Sequence, residues 1–360
     1  MYIKSIETFD VAIPLTKPFK TALRTVTTAY SVYVTITTSD GIVGYGEAPP
    51  THVITGESMD SIRYAINEVI ATQVIGMNIL QSEQVFQKLN TALVRNTSAK
   101  AAVDMAIHDI LAKYAGLPLY QFLGGYRDVL ETDFTVSIND PTEMADDAER
   151  YIKNGFNVLK VKVGIGHIKD DIERIRVIRE RVGMTPKLRL DANQGWNAKE
   201  AVKAISLMED AGLYIEFVEQ PVPAWDLEGL KYVTDHTYTP IMADESVFSV
   251  QDAKQVLQMR AADLINIKLM KSGGIYHAQK INTLAEASGV ECMVGSMIET
   301  KLGITAAAHF AASHPNIRYY DFDAPLMLKN DLIVGGVIYE KSNMSFSNEP
   351  GLGIVHVNLD

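Results

Sequence analysis

Six residues of this chain could carry acid–base chemistry together if the fold brought them to one place: Lys160, Lys162, Asp191, Glu219, Asp244 and Lys268. The first two stand in Leu159-Lys160-Val161-Lys162-Val163, which reads as a strand. Alternation along a strand points both ammonium groups to the same side. An isolated Lys-x-Lys in a β run most often faces water. Here, however, four later strand-like runs deliver Asp191, Glu219, Asp244 and Lys268, each near the C-terminal end of its run. Surface lysines do not predict that regularity. Three buried carboxylates brought to one point by consecutive strands cannot all stay ionised without a cation. An all-oxygen set without His or Cys favours Mg²⁺ over zinc. Taken singly, each carboxylate could instead cap a helix or pair with an arginine.

The lysines would flank such an ion, Lys160 and Lys162 from the second strand of the series and Lys268 from the sixth. A lysine near a metal ion and other ammonium groups is expected to have a lowered pKa and to act as a base near neutral pH. A substrate carboxylate on the metal would have an amine on each face of its α-carbon. One amine takes the α-proton, the metal stabilises the enediolate, and the other amine returns a proton to the opposite face. Racemisation or epimerisation is the chemistry this predicts.

The elements that must position these groups are legible from periodicity. Residues 1 to about 50 read as strands (Ile3 to Ile13, Tyr30 to Thr38, Val43 to Ala48), with Asp40-Gly41 as a hairpin signal and Thr16 to Thr28 as a polar loop. Helical spacing follows over Met59 to Ala71, Ser82 to Val94 and Ser98 to Ala115. Past Gly124-Gly125 the pattern becomes strand, helix, strand. The strand-like runs are Thr132–Ile138, Asn157–Val163, Lys187–Asn193, Ile215–Pro221, Pro240–Ser246, Leu264–Met270, Glu291–Met297 and Ile317–Asp323. Helices between them include Asp170 to Val182 and one capped by Asn197 with Glu200. Repeated β-α units predict a parallel sheet, and eight of them predict closure into a barrel with its site at the strands' C-terminal ends. Residues 324–360 show short β stretches and no helix, and are expected to return over the first domain.

Composition bounds the rest. The chain has 360 residues, more than a bare barrel of about 250 requires. Hydrophobic and charged contents of 47% and 21% suit a globular protein with a large core. A net charge of −11 without a basic stripe argues against a nucleic-acid partner. Cys292 is the single cysteine, so no internal disulfide forms. No segment reads as a signal peptide or a membrane span, which makes the cytoplasm the expected location. Other motifs are weak. Gly164-x-Gly166 has Lys169 where a dinucleotide fingerprint needs its third glycine, and reads as a β-α turn. No His-Glu-x-x-His or Gly-x-Ser-x-Gly occurs. His108 reads as structural, Lys271 as a residue behind the ligands, and Trp196 and Trp225 as packing at the barrel mouth.

Lys160-x-Lys162, Asp191, Glu219, Asp244 and Lys268-x-x-Lys271-x-Gly273-Gly274 resemble the muconate-lactonizing-enzyme subgroup of the enolase superfamily over essentially the whole chain. A lysine base beside Mg²⁺ is that superfamily's arrangement. The resemblance implies a (β/α)₇β TIM-like barrel over 126–323 and an α+β capping domain from 1–125 plus 324–360. It implies Lys162 and Lys268 as the catalysts and Lys160 as a holder of the metal-bound carboxylate. It also implies one Mg²⁺ per subunit on Asp191, Glu219 and Asp244, and a homo-oligomer.

Within the subgroup the chain is most similar to the dipeptide epimerases that act on Ala-Glu dipeptides, such as those released from cell-wall peptide. Asp321 and Asp323 would hold the dipeptide's α-ammonium, and Arg24 the side-chain carboxylate of Glu. Thr135 would lie near the α-carboxylate, with Ser296 and Ile298 contacting substrate through their backbone. An N-acylamino-acid racemase, an o-succinylbenzoate synthase or a cycloisomerase of the same subgroup is the alternative. Those activities share the lysines and carboxylates but do not require Asp321 and Asp323.

Overall fold

The computed structural model describes residues 1–358. A three-stranded antiparallel sheet opens the chain: β1 (Ile3–Lys20), β2 (Thr25–Thr38) and β3 (Val43–Ala48), in that order. The expected loop from Thr16 to Thr28 is instead almost entirely strand. Phe19 pairs with Val26 and Lys20 with Thr25, so only Thr21 to Arg24 turn. The hairpin is long enough to reach past its own sheet.

Gly44 and Gly46 explain how β3 is buried. A Cβ on either would sit about 2 Å from a carbonyl of Ala106 or Ala102, in the helix Thr97–Ala115. Strand backbone therefore lies directly on helix backbone, through glycine on one side and alanine on the other. The helix expected over Met59 to Ala71 is interrupted: Met59–Tyr64 is α, Ala65–Ile70 is a π turn, and Ala71–Val74 is α again. The next helix, Ser82–Thr91, ends before the expected Val94.

After β4 (Val129–Glu131) come eight parallel strands in chain order: β5 (Phe134–Val136), β6 (Val158–Lys162), β7 (Lys187–Asp191), β8 (Ile215–Glu219), β9 (Ile241–Ala243), β10 (Leu264–Ile267), β11 (Glu291–Val294) and β12 (Ile317–Tyr320). Seven α-helical crossovers join them. The sheet curls until its edges meet, where Asp133 N–H donates to the Tyr320 carbonyl (3.4 Å) and Phe322 N–H to Thr132 Oγ1 (2.8 Å). Strands end one to three residues earlier than the periodicity suggests, and the functional residues lie at or just past the last ladder bond.

Alternation fills the barrel in layers. Phe217, Met242, Leu264 and Met293 form an apolar floor with Tyr319, and the Arg189 guanidinium lies between the rings of Phe217 and Tyr319. Two residues further along β8 comes Glu219, beyond β9 Asp244, and beyond β12 Asp321. The charged layer is thus stacked on the floor by strand period alone. Outside, the helices Ile168–Val182 and Ala198–Asp210 begin with capping boxes, the second built from Asn197 and Glu200 as the sequence suggests.

The last segment adds β13 (Ile333–Gly335), β14 (Ile338–Glu340), β15 (Asn343–Ser345) and β16 (Ile354–Val357), and one 3₁₀ turn at Ala324–Met327 that the sequence did not foreshadow. It returns to the N-terminal unit, where Leu352 N–H donates to Asp109 and Gly351 exchanges backbone bonds with Leu117 and Leu119.

Candidate active site

The residues singled out by spacing meet at the C-terminal mouth of the barrel. Lys162 closes β6, Asp191 closes β7 and Glu219 closes β8; parallel pairing sets Lys162 beside Asp191 and Asp191 beside Glu219. Asp244 follows β9, and Lys268 follows β10 as the N-cap of a one-turn helix, Leu269–Ser272. All are buried. Lys160 Nζ lies 2.7 Å from Asp321, 2.8 Å from Glu219 and 3.2 Å from Asp191. Lys162 donates to Asp191 Oδ2 at 2.6 Å, and Lys268 to Asp244 Oδ2 at 2.6 Å. Lys271 approaches Asp244 Oδ1 at 2.6 Å and also donates to the Asp244 carbonyl. Four ammonium groups thus face four carboxylates.

The charges set one another's titration. Burial pushes Asp191 upward, but Lys162 and Lys160 outweigh it and hold the carboxyl at about 2. Asp244 is likewise held far below the usual range by Lys268 and Lys271 against the push of burial. Glu219, with Asp191 beside it, rises to about 7 through burial and that like charge. For Lys268 the expected lowering does not hold: burial disfavours its charge, but Asp244 and Glu219 overcome it and raise the pKa. Lys160 is raised in the same way, chiefly by Asp321 against the cost of burial. Lys271 is lowered, because burial exceeds the pull of Asp244. The expected lowering presupposes a bound cation; with carboxylates alone the sign reverses for Lys160 and Lys268.

A divalent cation fits this donor set. Among the described residues no three His, Cys, Asp or Glu side chains already form a closed cage. The carboxylates turn toward the lysines instead. Glu219 Oε2 and Asp244 Oδ1 face only the ammonium groups of Lys160 and Lys271, at 2.8 and 2.6 Å, and Asn193 Oδ1 and Glu245 Oε2 are buried nearby with no hydrogen-bond partner. Buried oxygens that lack partners are costly unless something positive is meant to meet them. Hard oxygen donors match Mg²⁺.

The surrounding shell was only partly legible. Asn193 takes φ of 40° and Gln220 φ of 35°, left-handed values that cost about 1–3 kcal/mol for non-glycine residues. Both hold the ligand loops. Asn193 N–H donates to Asp191 Oδ1 and its amide to Glu245, while Gln220 Oε1 accepts from Asp244 N–H and Ser246 N–H. Their signal was adjacency to the ligands in Asp191-Ala192-Asn193 and Glu219-Gln220. Trp196 is buried and donates to Asp171, whereas Trp225 is 82% exposed, contrary to the packing role expected of it. His108 bonds the Asp104 carbonyl within its own helix, a structural role as read from the sequence.

A cavity of about 60 Å³ opens over this layer, lined by Arg24, Thr135, Ser296, Ile298, Asp321 and Asp323 as well as the lysines. Every residue proposed from the sequence as a substrate contact is therefore brought to it. Phe19, Leu23, Val53, Ile54 and Met297 line it too and were missed. Asp323 Oδ2 accepts from Thr135 N–H at 2.5 Å; burial and Asp321 raise its pKa to about 7. Arg24 lies in the hairpin turn, which is fixed by Thr21 Oγ1 accepting from the N–H groups of Leu23 and Arg24. It has no ion-pair partner among the described residues, and burial lowers its pKa.

Comparison with known proteins agrees with this geometry. Residues 3–124 match the mandelate racemase / muconate lactonizing enzyme N-terminal domain, and residues 143–357 match the enolase C-terminal domain-like family. The chain is 64% identical to the L-Ala-D/L-Glu epimerase of Bacillus subtilis strain 168, over 100% of this chain and 98% of that protein. The structure of a substrate-liganded complex of the B. subtilis epimerase superposes with a TM-score of 0.99, covering 99% of each chain. The Enterococcus faecalis V583 dipeptide epimerase complexed with Mg and L-Leu-L-Tyr, 46% identical, superposes with a TM-score of 0.96, covering 99% of this chain and 100% of that one. With both halves matched and the charged layer in place at the barrel mouth, the chain belongs to the mandelate racemase / muconate lactonizing enzyme family of the enolase superfamily.

Proposed function

We propose that this protein is a Mg²⁺-dependent dipeptide epimerase that inverts the α-carbon of the C-terminal residue in L-Ala-L-Glu and L-Ala-D-Glu. The observation that carries the reading is the placement of Lys162 and Lys268 on either side of the Asp191–Glu219–Asp244 layer, beneath a guanidinium with no ion-pair partner among the described residues. Asp191, Glu219 and Asp244 would hold one Mg²⁺. Bound there, the ion would supply positive charge to offset the second negative charge that develops on the substrate carboxylate. Lys160, between Asp321 and two of the ligands, would help hold that carboxylate. One of Lys162 and Lys268 removes the α-proton as a neutral amine while the other, as an ammonium, delivers a proton to the opposite face. Asp321 and Asp323 would take the dipeptide's α-ammonium, with Thr135 N–H fixing Asp323. Arg24 would pair with the γ-carboxylate of Glu, a match of planar guanidinium to carboxylate. Ser296 and Ile298 would border the dipeptide through their backbone.

We also propose residues 1–125 with 324–360 as the capping unit that sets specificity, and 126–323 as the catalytic barrel. A cytoplasmic homo-oligomer acting on peptides released from the cell wall completes the reading; among the described residues no helix is long and apolar enough to cross a membrane. The test is incubation with L-Ala-L-Glu and Mg²⁺ in D₂O, followed by NMR. Deuterium at the Glu α-carbon and appearance of L-Ala-D-Glu are expected. Exchange with N-acylamino acids and none with the dipeptide would move the assignment to a racemase of the same group.

A further inference from the structure

We infer that Phe19, carried by the capping hairpin, seals Lys162 from water, so that solvent exchange of the hydrogens on Lys162 depends on the hairpin while exchange on Lys268 does not. This rests on reading Lys162 and Lys268 as the acid/base pair. The two lysines look alike at first: each is nearly fully buried and each donates at 2.6 Å to one carboxylate. Their remaining walls differ. Lys162 Nζ lies 5.7 Å from the centroid of the Phe19 ring, within the range at which a ring face attracts a cation. No aromatic ring is recorded over Lys268 among the described residues. Its aliphatic stem lies against Gly295 of the barrel, where a Cβ would come within 3.3 Å of Cε. Lys162 has a ring of the capping hairpin over its ammonium and Lys268 has barrel backbone along its stem, within the cavity that both border.

The enclosure over Lys162 is tied down but separable. Lys20, next to Phe19, bonds the loop after β5 through Ser137 Oγ, the Ile138 N–H and Asn139 Oδ1. Phe19 itself packs with Leu15, Ala29 and Ile298. Phe19 lines the cavity over Lys162 together with Thr21, Leu23 and Arg24 of the same hairpin.

The chemical consequence is a difference in hydrogen bookkeeping at the two faces. When the Cα–H bond breaks, its electron pair stays with the enediolate and its proton passes to the neutral lysine, which becomes an ammonium. That ammonium then either gives the same hydrogen back or first trades it with water. Meanwhile the opposite ammonium, protonating the other face, forms the epimer and becomes neutral. Under the closed Phe19 ring, return from Lys162 outruns exchange.

The experiment runs the Mg²⁺-loaded protein and its Phe19→Leu and Phe19→Ala variants in D₂O, starting separately from L-Ala-L-Glu and L-Ala-D-Glu. At early conversion it measures the ratio of deuterium in recovered substrate to epimer formed. For one epimer that ratio should rise several-fold, in the order wild type, Leu, Ala; for the other it should stay constant. Equal rises with both epimers, no rise with either, or loss of exchange with both would overturn the proposal. Wild-type protein that exchanges neither epimer would instead remove the epimerase reading itself.

Discussion

Arg24 is the residue at which the proposed specificity can be separated from the chemistry. Its guanidinium is half-buried, has no ion-pair partner among the described residues, and is held by a turn at the end of a long hairpin. A charge-assisted hydrogen bond contributes about 1.5–3 kcal/mol, so Arg24→Met should lower kcat/KM for L-Ala-L-Glu by roughly 10- to 150-fold. The loss should appear mainly in KM, and a dipeptide with an apolar second residue should not suffer it. Steady-state kinetics on both dipeptides check this; an equal loss on the two would assign Arg24 to the fold. Lys271 makes the contrasting case. It is buried like Lys162 and Lys268 but turned to Asp244 from behind, and it does not line the cavity.

At the scale of elements, the capping unit is fastened to the barrel by carboxylates on helix N-termini. Glu47 of β3 accepts from Thr300 N–H, Thr300 Oγ1 and Gly303 N–H at the start of the helix Lys301–Ser313. Asp104 does the same for Ile275 N–H at the start of Ile275–Ala287. Donors without intrahelical partners and the helix dipole both favour an anion there. Glu47→Ala should therefore cost about 2–3 kcal/mol, read as a lower Tm.

Glu299 sits beside this joint, accepting from Met297 N–H with its other oxygen unpaired. Burial and Glu47 raise its pKa to about 8. A carboxyl raised on folding binds its proton more tightly in the native state. Its contribution is complete below the unfolded pKa of about 4.5 and is lost as pH climbs through about 8. Glu299→Gln should therefore raise Tm relative to wild type at about pH 9 and have little effect at about pH 5; the opposite ordering would show that Glu299 is ionised in the native protein.

What the sequence could tell about these elements follows their periodicity. Strand ends carrying Asp191, Glu219 and Asp244 were readable because each charge interrupts an apolar run. The hairpin from Thr16 to Thr28 was not, since one of its faces meets water and the other the site, leaving no hydrophobic alternation. Glu47 was silent because its role depends on a helix more than 250 residues away. The paired glycines Gly44 and Gly46 were the one local hint of a strand pressed on a helix.

For the whole molecule, the charged layer is nearly neutral before any cation arrives, since four lysines face four carboxylates. The protein should therefore fold without Mg²⁺. Adding the ion at about a hundred times its Kd should raise stability by about 2.7 kcal/mol, and Asp191→Asn should reduce that gain. Chelation should abolish dipeptide exchange and leave the far-ultraviolet circular dichroism intact. A Tm indifferent to Mg²⁺ would contradict the assignment of the three carboxylates. Lys160 and Lys268 point the same way: the carboxylates that raise their pKa values against burial are ones a cation would engage.

The central claim is that Lys162 and Lys268 work from opposite faces of one α-carbon, and single-lysine variants test it most directly. Lys162→Ala and Lys268→Ala, each with Mg²⁺ in D₂O, are given L-Ala-L-Glu and L-Ala-D-Glu in turn, and α-deuterium is followed by NMR. Neither variant should epimerise, and each should still exchange the α-hydrogen of one epimer only, a different one for each variant. Exchange of the same epimer by both, or undiminished epimerisation by either, would contradict the two-face account.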